Sequence, residues 1–230
     1  MIEDWQLSDL VLSTYHDLDE SLIPPGFALV DWIDVGPPSD TQVAIFRKEH
    51  ALIIAFPGSV GFWDWLRNIA AGLQLHSRPG RIVGPRGERS RFPNRQTVDA
   101  WRQAWCTVSP QVDDIVTQER PDELYIAGHS LGGALAINCA ASFYARGHVV
   151  ELVTFAAPRA GTPATENALR GCPCRRYEIR ADVVPRLPVF SQQWRAIGSR
   201  IPLPGAVGGI GANHSMTLYR QRVRELYSGR

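Results

Sequence analysis

The stretch ELYIAGHSLGGALA, residues 123–136, places Ser130 between two glycines, with an apolar run before it and small residues after it. The apolar run predicts a strand, and the small residues predict a helix that packs closely against it. A G-x-S-x-G sequence between a strand and a helix is typical of a tight, strained turn that lifts its serine above the sheet. The context therefore favours Ser130 as a nucleophile over a polar residue in an ordinary glycine-rich turn.

Further apolar runs bounded by turn residues lie on both sides of this stretch, at 44–56, 151–158 and 175–180. Helical patterns separate several of them, so predicted strands and helices alternate along the chain. This alternation predicts an α/β fold. With 230 residues the chain suits a single domain over 1–230, in which residues 1–40 could form an N-terminal extension packed on the core.

Two helices are predicted from apolar residues at three- and four-residue steps. The first has a face suited to core packing, formed by Val98, Trp101, Trp105 and Val108. Ser109-Pro110 follows as a cap and a first-turn proline, so a kink or a second helix is expected to carry the chain to Glu119. The second predicted helix ends the chain and has an apolar stripe formed by Met216, Tyr219, Val223 and Leu226.

Composition argues against several classes of protein. The formal net charge is +1 without a long block of one sign, so nucleic acid is not an expected partner. No apolar run is long enough to cross a bilayer. Residues 1–10 lack the pattern of a secretory leader, which makes a cytoplasmic location the expectation. The four cysteines lack the paired spacing of a zinc site, so no metal is expected there.

A serine hydroxyl needs a base within hydrogen-bond reach and a partner that orients this base. For a serine on such a turn the chain order is serine, acid, histidine, which restricts the base to His148 or His214. His148 precedes a strand at the expected far end of the sheet, whereas His214 follows a glycine-rich loop. His214 is therefore the predicted base, and His129, next to the serine on a sharp turn, is predicted to be structural.

Asp182 is the predicted acid because it follows the strand-like run 175–180 and so lies in a loop at the carboxyl end of a strand. Three other acids are less well placed, namely Glu151, Glu166 and Glu178. In the predicted set Ser130 carries an acyl group. His214 takes the hydroxyl proton and later protonates the leaving alcohol, and Asp182 orients the imidazole.

The oxyanion of a tetrahedral intermediate needs hydrogen-bond donors, usually two backbone amides. One is expected from Leu131, the residue after the serine. The other is expected from the loop 55–65, where Ser59 follows Pro-Gly, although an ordinary turn has the same chemistry. Two segments without periodicity, 77–95 and 198–213, are predicted long loops, which act as lids or binding loops or are plain surface loops.

Five blocks of the sequence resemble the class 3 lipases, the fungal-type triacylglycerol lipase family of the α/β-hydrolase fold. They are FPGSVGFWDWLRN (56–68), PDELYIAGHSLGGALA (121–136), TFAAPRAGT (154–162), RADVVPRLP (180–188) and NHSMTLY (213–219). The resemblance implies a mostly parallel sheet flanked by helices, with a lid-like loop within 70–95. It also implies ester hydrolysis through an acyl-enzyme, Ser59 and Leu131 as oxyanion donors, and no metal or organic cofactor.

The leading hypothesis is a serine esterase or lipase that acts on carboxylic esters of the acylglycerol type, so a small-molecule or lipid ester is the expected substrate. Peripheral contact with a lipid interface, through the arginine-rich loop 77–95, is a further hypothesis. Three alternatives stay open: acyl transfer on the same residues, cleavage of a thioester or amide, and a non-catalytic module that binds an acyl ligand. The sequence carries no prediction of oligomeric state.

Overall fold

The structure of the protein is a computed structural model. It describes residues 2–15, 18–36, 41–58, 95–188, 194–205, 208 and 210–229, with the backbone alone at 95–102 and at 210. Ser59, the predicted lid within 70–95 and the arginine-rich loop up to residue 94 lie outside these residues.

Within the described ranges one seven-stranded sheet has its strands in the order of the chain. The strands are β1 (Ala28–Val35), β2 (Thr41–Lys48), β3 (Ala51–Phe56), β4 (Glu123–His129), β5 (Val150–Phe155), β6 (Cys174–Ile179) and β7 (Ser199–Leu203). The pairs β1–β2 and β2–β3 are antiparallel, and each pair from β3 to β7 is parallel. The predicted mostly parallel sheet is confirmed, and its parallel strands end at one common edge, the carboxyl edge.

Two details of the predicted strands are wrong. The run 44–56 is a hairpin of β2 and β3, because the chain reverses at Glu49, whose φ of 55° lies in the left-handed region and ends the extended backbone. The segment 198–213, predicted as a loop, contains β7. The signal for β7 was weak because its sequence, SRIPL, includes a proline, which is confined to edges and ends of sheets.

The helices are α1 (Asp4–Ser13), α2 (Arg95–Glu119), α3 (Leu131–Ala145), α4 (Pro163–Ala168), α5 (Ile210–Asn213) and α6 (Met216–Ser228). The assigned helix α2 continues through Pro110, where a kink or a second helix was predicted. Proline has no N–H to donate to the carbonyl four residues earlier, and the hydroxyl of Ser109 lies 3.5 Å from that oxygen, on Cys106.

Both faces of the sheet are covered, and the alternation of side chains along each strand decides which face a residue reaches. In β3, Leu52, Ile54 and Phe56 pack with α2 and α3 in one buried cluster. Ile53 and Ala55 point the other way, into a second cluster with α1 and α6. A parallel sheet buried on both faces explains why its strands are nearly continuous apolar runs.

Helix α1 lies against the sheet and α6, and its two buried acids are paired with basic side chains. Asp4 accepts from Nε and Nη2 of Arg175 at 2.7 and 2.8 Å and from the hydroxyl of Tyr177 at 2.7 Å. Asp9 forms ion pairs with Arg220 and Arg224 of α6. Buried carboxylates are stable only when paired in this way, so these contacts hold α1 in one place. The organisation of 1–230 as a single domain stays a prediction.

Candidate active site

Ser130 occupies a sharp turn between β4, which ends at His129, and α3, which begins at Leu131. Its φ of 55° and ψ of −123° are rare for a residue with a side chain and store strain. The N–H of Ser130 donates to the carbonyl of Phe155 in β5 at 2.9 Å, and its own carbonyl accepts from Gly133 N–H at 3.0 Å. The turn therefore presents the serine at the carboxyl edge of the sheet.

Two of the glycines around Ser130 are required by close backbone approach. A Cβ on Gly128 would lie 2.3 Å from the carbonyl oxygen of Gly132, and a Cβ on Gly132 would lie 2.2 Å from that of Pro57. Both distances are far below van der Waals contact. Only hydrogen at these positions lets the start of α3 pack directly on the ends of β3 and β4.

His214 joins Ser130 to Asp182. Its Nε2 lies 2.8 Å from Ser130 Oγ, and its Nδ1 lies 2.8 Å from Asp182 Oδ2. The carboxylate can only accept, so Nδ1 carries the hydrogen and Nε2 is left to accept from the serine hydroxyl. Each of the three residues is at most 4% exposed. The structure thus brings together the three residues that the sequence predicted, over separations of 32 and 84 residues.

Asp182 is held by two further donors. Its Oδ1 accepts from Val184 N–H at 3.0 Å, and its Oδ2 accepts from the hydroxyl of Tyr219 at 2.9 Å. Burial raises the pKa of Tyr219, so the phenol keeps its proton and donates it to the carboxylate. The same hydroxyl accepts from Ile179 N–H at 3.0 Å, which ties α6 to the end of β6. The acid is therefore oriented by the backbone and by a helix.

Tyr219 was not predicted as a site residue, because its place in the apolar stripe of α6 accounted for it. Met216 and Val223 of that stripe are buried, whereas Leu226 is 38% exposed and does not belong to it. A buried tyrosine usually finds a hydrogen-bond partner for its hydroxyl. A tyrosine in a buried stripe therefore predicts a polar partner near Tyr219, but it does not predict that this partner is Asp182.

His129 lies against His214 without replacing it. The ring centroids are 4.9 Å apart, and His129 Nδ1 is 2.6 Å from the hydroxyl of Tyr15. Burial, and then the proximity of His214, lowers the pKa of His129 well below its usual value, while the backbone of His214 opposes this in part. Because burial raises the pKa of Tyr15, its phenol keeps its proton and donates it to Nδ1. His129 is therefore a neutral neighbour of the base.

Tyr15 is the second site residue that sequence reasoning missed. Its hydroxyl also accepts from Gly58 N–H at 2.8 Å, so one oxygen joins the end of β3 to the residue before Ser130. Gly58 is buried beside the turn, and a Cβ placed on it would lie 3.2 Å from Ser130 Cβ. Nothing in the sequence near Tyr15 indicated contacts with residues 43 and 114 positions away.

The alternative residues lie elsewhere. His148 packs edge-on against Phe143, with ring centroids 5.3 Å apart, just before the amino end of β5. The three alternative acids form ion pairs with arginines: Glu151 with Arg175, Glu166 with Arg195, and Glu178 with Arg176 and Arg200. Glu151 is the second residue of β5, far from the carboxyl end of that strand, and Glu178, one residue before the end of β6, is occupied by its two arginines.

Of the two predicted oxyanion donors, Leu131 is among the residues that the structure describes and Ser59 is not. Leu131 is the first residue of α3, and the first four N–H groups of a helix have no acceptor within it. Its amide therefore has no acceptor within the helix and lies next to Ser130. Ser59 lies one residue beyond Gly58, outside the described residues.

Over the part of the chain that the structure describes, no group of three His, Cys, Asp or Glu side chains could hold a metal ion, and no helix could span a membrane.

Several known proteins are similar to this chain. The "Secreted mono- and diacylglycerol lipase A" of Penicillium cyclopium is 26% identical over 151 residues, which are 65% of this chain and 47% of that protein. The "Lipase" of Rhizomucor miehei is 28% identical over 158 residues, 65% of this chain and 41% of that protein. These matches thus span less than half the length of either relative.

A solved structure of Rhizomucor miehei triacylglyceride lipase superposes on this chain with a TM-score of 0.63. The two are 21% identical, and the match covers 86% of this chain and 78% of that one. At this identity the likeness shows the fold alone. The chain has the α/β-hydrolase fold, as predicted.

The expectation of a cytoplasmic location is contradicted. Relatives from Penicillium cyclopium, Penicillium camembertii and Fusarium solani are all named secreted lipases, which points to an extracellular location. The expectation rested on residues 1–10 alone. The core of the fold is the same wherever a protein is located, so the remaining sequence did not correct it.

The family assignment follows from a match over most of the sheet and the candidate site. The model of the family "Lipase (class 3)" matches residues 53–192, which include most of β3, all of β4 to β6, Ser130 and Asp182. This is more than half of the 230 residues. The chain therefore belongs to the class 3 lipase family.

Proposed function

We propose that this protein is a secreted serine hydrolase that cleaves carboxylic esters of lipids through an acyl-enzyme intermediate. The observation that carries the proposal is the continuous series of hydrogen bonds from Ser130 Oγ through His214 to Asp182, both 2.8 Å long. A nucleophile, a base and a residue that orients the base are the minimum set for acyl transfer through serine.

In the first half of the reaction Ser130 Oγ attacks the ester carbonyl while His214 Nε2 takes the hydroxyl proton. The tetrahedral intermediate collapses when the same imidazole protonates the leaving alcohol, and the acyl group stays on Ser130. In the second half His214 takes a proton from water, the hydroxide attacks the acyl carbon, and the fatty acid leaves as Ser130 regains its proton. General base catalysis of this kind supplies about 10²–10⁴ in rate.

Asp182 stabilises the imidazolium that forms on His214 in both halves. Because it accepts from Nδ1, it also keeps the hydrogen off Nε2, which must be free to take the serine proton. Tyr219 acts as a positioning residue here, since its hydroxyl holds the carboxylate oxygen that contacts the imidazole.

The developing oxyanion would be stabilised by the N–H of Leu131 and by a donor from Ser59. Support for Leu131 comes from its place at the first turn of α3, where the N–H groups and the helix dipole favour negative charge. Support for the segment with Ser59 comes from Gly58, which is packed against Ser130. Each such donor typically contributes about 10²–10³ in rate.

The substrate class is proposed from the names of the relatives. The three relatives named as secreted lipases are all named for mono- and diacylglycerols, and the superposed structure is that of a triacylglyceride lipase. We therefore propose acylglycerol-type esters as substrates, with water as the acyl acceptor.

The test is labelling with a fluorophosphonate, which phosphonylates a serine only when its hydroxyl is activated. Wild type should be labelled and should hydrolyse p-nitrophenyl esters. Ser130→Ala should not be labelled, and His214→Ala should lose about 10⁴-fold or more in kcat. The matched control is Ser228→Ala, since that exposed hydroxyl lies in the last helix and donates to the carbonyl of Arg224. Labelling that persists in Ser130→Ala would refute the proposal.

A further inference from the structure

A basic groove lies at the end of the sheet, next to the candidate active site and not part of it. This arginine groove is lined by Arg180, Arg186, Arg200, Glu178, Pro204 and Gly205 among others, and it has a volume of about 730 Å³. Its three arginines and one glutamate give the lining a net charge of +2, whereas the whole chain has +1. Positive charge is therefore concentrated here.

The sheet register explains why these charges share one face. Along β6, Tyr177 and Ile179 point into the cluster with α1 and α6, so Glu178 and the following Arg180 point to the opposite face. In β7, Pro202 is the register partner of Glu178, which places Arg200 on that face as well. β7 is the last strand of the sheet, and the groove thus opens at a sheet border.

Two of the three guanidinium groups are available for a ligand. Arg200 forms an ion pair with Glu178 at 2.6 Å. Arg186 donates to the carbonyl of Arg180 at 2.6 Å, and over the described part of the chain neither Arg180 nor Arg186 has a carboxylate partner. All three arginine side chains are exposed. Exposed cations without a carboxylate partner, such as Arg180 and Arg186, attract an extended anionic surface more than they enclose a small anion.

The groove adjoins the loops that carry the acid and the histidine. A Cβ placed on Gly205 would lie 3.0 Å from Asn213 Oδ1 and 3.4 Å from Ala181 Cβ, and these residues precede His214 and Asp182. Arg180 follows the end of β6, so the groove is at the same carboxyl edge as Ser130. A surface bound in the groove would therefore face the edge at which the ester must enter.

We propose that the arginine groove binds the anionic headgroups of a lipid surface and so holds the enzyme with its carboxyl edge against that surface. The proposal rests on the proposed function, since only a lipid ester substrate makes such an orientation useful. A protein strand is a poorer occupant, because Pro202 lacks the N–H that an added strand would need and Pro204 follows it.

The test measures binding to vesicles in the Ser130→Ala background, in which the lipid is not hydrolysed. Binding to phosphatidylcholine vesicles that contain about 30% phosphatidylglycerol is compared with binding to phosphatidylcholine alone, in about 0.1 M NaCl. We expect the anionic vesicles to bind more tightly, and we expect about 1 M NaCl to remove the difference, because the Debye length falls to about 3 Å.

The decisive variant is Arg180→Gln, because Arg200 is already paired with Glu178. Arg186 is left in place because it holds the loop that carries Asp182. At about fivefold for one arginine, affinity for the anionic vesicles should fall about fivefold. The control is Arg170→Gln, which removes the same charge from an exposed arginine that precedes β6 at the opposite edge of the sheet. It should bind as the parent does.

Equal loss in the groove variant and the control variant, or no loss in the groove variant, would overturn the proposal. So would wild-type binding to poly-glutamate as tight as to vesicles, or a groove-dependent thermal shift with inorganic phosphate but no vesicle binding. Hydrolysis of soluble p-nitrophenyl butyrate by wild type is measured separately. If hydrolysis is absent while groove-dependent binding persists, the proposed function fails and the groove stands; the reverse result refutes the groove alone.

Discussion

Replacing Tyr15 by phenylalanine removes a single oxygen that holds two parts of the candidate site together. The hydroxyl accepts from Gly58 N–H at 2.8 Å and donates to His129 Nδ1 at 2.6 Å. Gly58 precedes Ser59, the predicted oxyanion donor, and His129 precedes Ser130. We therefore expect Tyr15→Phe to weaken both the fold and the reaction.

The expected magnitudes follow from these two contacts. Phenylalanine leaves Gly58 N–H and His129 Nδ1 without this partner, and an unpaired buried polar group costs about 1–3 kcal/mol. The free energy of unfolding should fall by about 2–4 kcal/mol for the two groups together. Complete loss of an oxyanion donor costs about 10²–10³ in rate. Because the donor segment is displaced and not removed, we expect kcat to fall about tenfold, with KM changed less than about twofold.

The assays are urea denaturation and steady-state hydrolysis of p-nitrophenyl butyrate, with rates corrected for the folded fraction. The matched control is Tyr144→Phe, whose partly exposed hydroxyl makes a long bond of 3.4 Å to the carbonyl of Arg170. It should change the free energy of unfolding by less than about 0.5 kcal/mol. If Tyr15→Phe lowers stability but leaves kcat unchanged, Tyr15 is a structural residue only and the reasoning about the donor segment is wrong.

Three further predictions concern neighbouring residues. Tyr219→Phe removes one donor from the buried carboxylate and should lower kcat about tenfold, with stability lower by about 1–3 kcal/mol, and an unchanged kcat would contradict this role. Because burial holds the pKa of His129 below its unfolded value, the unfolded chain binds this proton first as the pH falls, so stability declines below about pH 6.5. From pH 7.5 to 5.5 the urea-derived free energy of unfolding should therefore drop about 1.4 kcal/mol more in wild type than in His129→Gln, and equal drops would refute the assignment. Gly132→Ala places a Cβ 2.2 Å from a backbone oxygen and should destabilise by about 1–3 kcal/mol, whereas Gly36→Ala, with nothing within 4 Å, should not.

The parts of the fold that were predictable have a local signal. The strands β3 to β6 are buried on both faces, so their apolar runs appear in the sequence without knowledge of their neighbours. β1 could not be predicted in this way, because most of its side chains are exposed or only partly buried. The hairpin of β2 and β3 was read as one run, since the reversal at Glu49 depends on backbone conformation and not on a glycine or proline.

The candidate site shows the same division. Ser130, Asp182 and His214 were predicted because each follows a recognisable local context in the required order, and the structure places them within hydrogen-bond distance. Their catalytic roles, like those of Ser59 and Leu131, stay predictions. Tyr219 was missed because apolar periodicity already accounts for it, and Tyr15 was missed because no local pattern marks it within the predicted N-terminal extension.

Local sequence was sufficient to predict the sharp turn at Ser130, since the close backbone approaches at Gly128 and Gly132 require glycine within a few positions of it. It was likewise sufficient to order the acid and the histidine after the serine. The tertiary structure alone determined the hydrogen-bond partners of the Tyr15 and Tyr219 hydroxyls. It also brought three arginines, two from the loop after β6 and one from β7, into one groove. Hydrogen bonds and ion pairs form over a few ångströms in space. Residues that are 20 to 114 positions apart in the chain come within that distance only because the sheet brings their segments together, so the sequence alone does not show which of them meet.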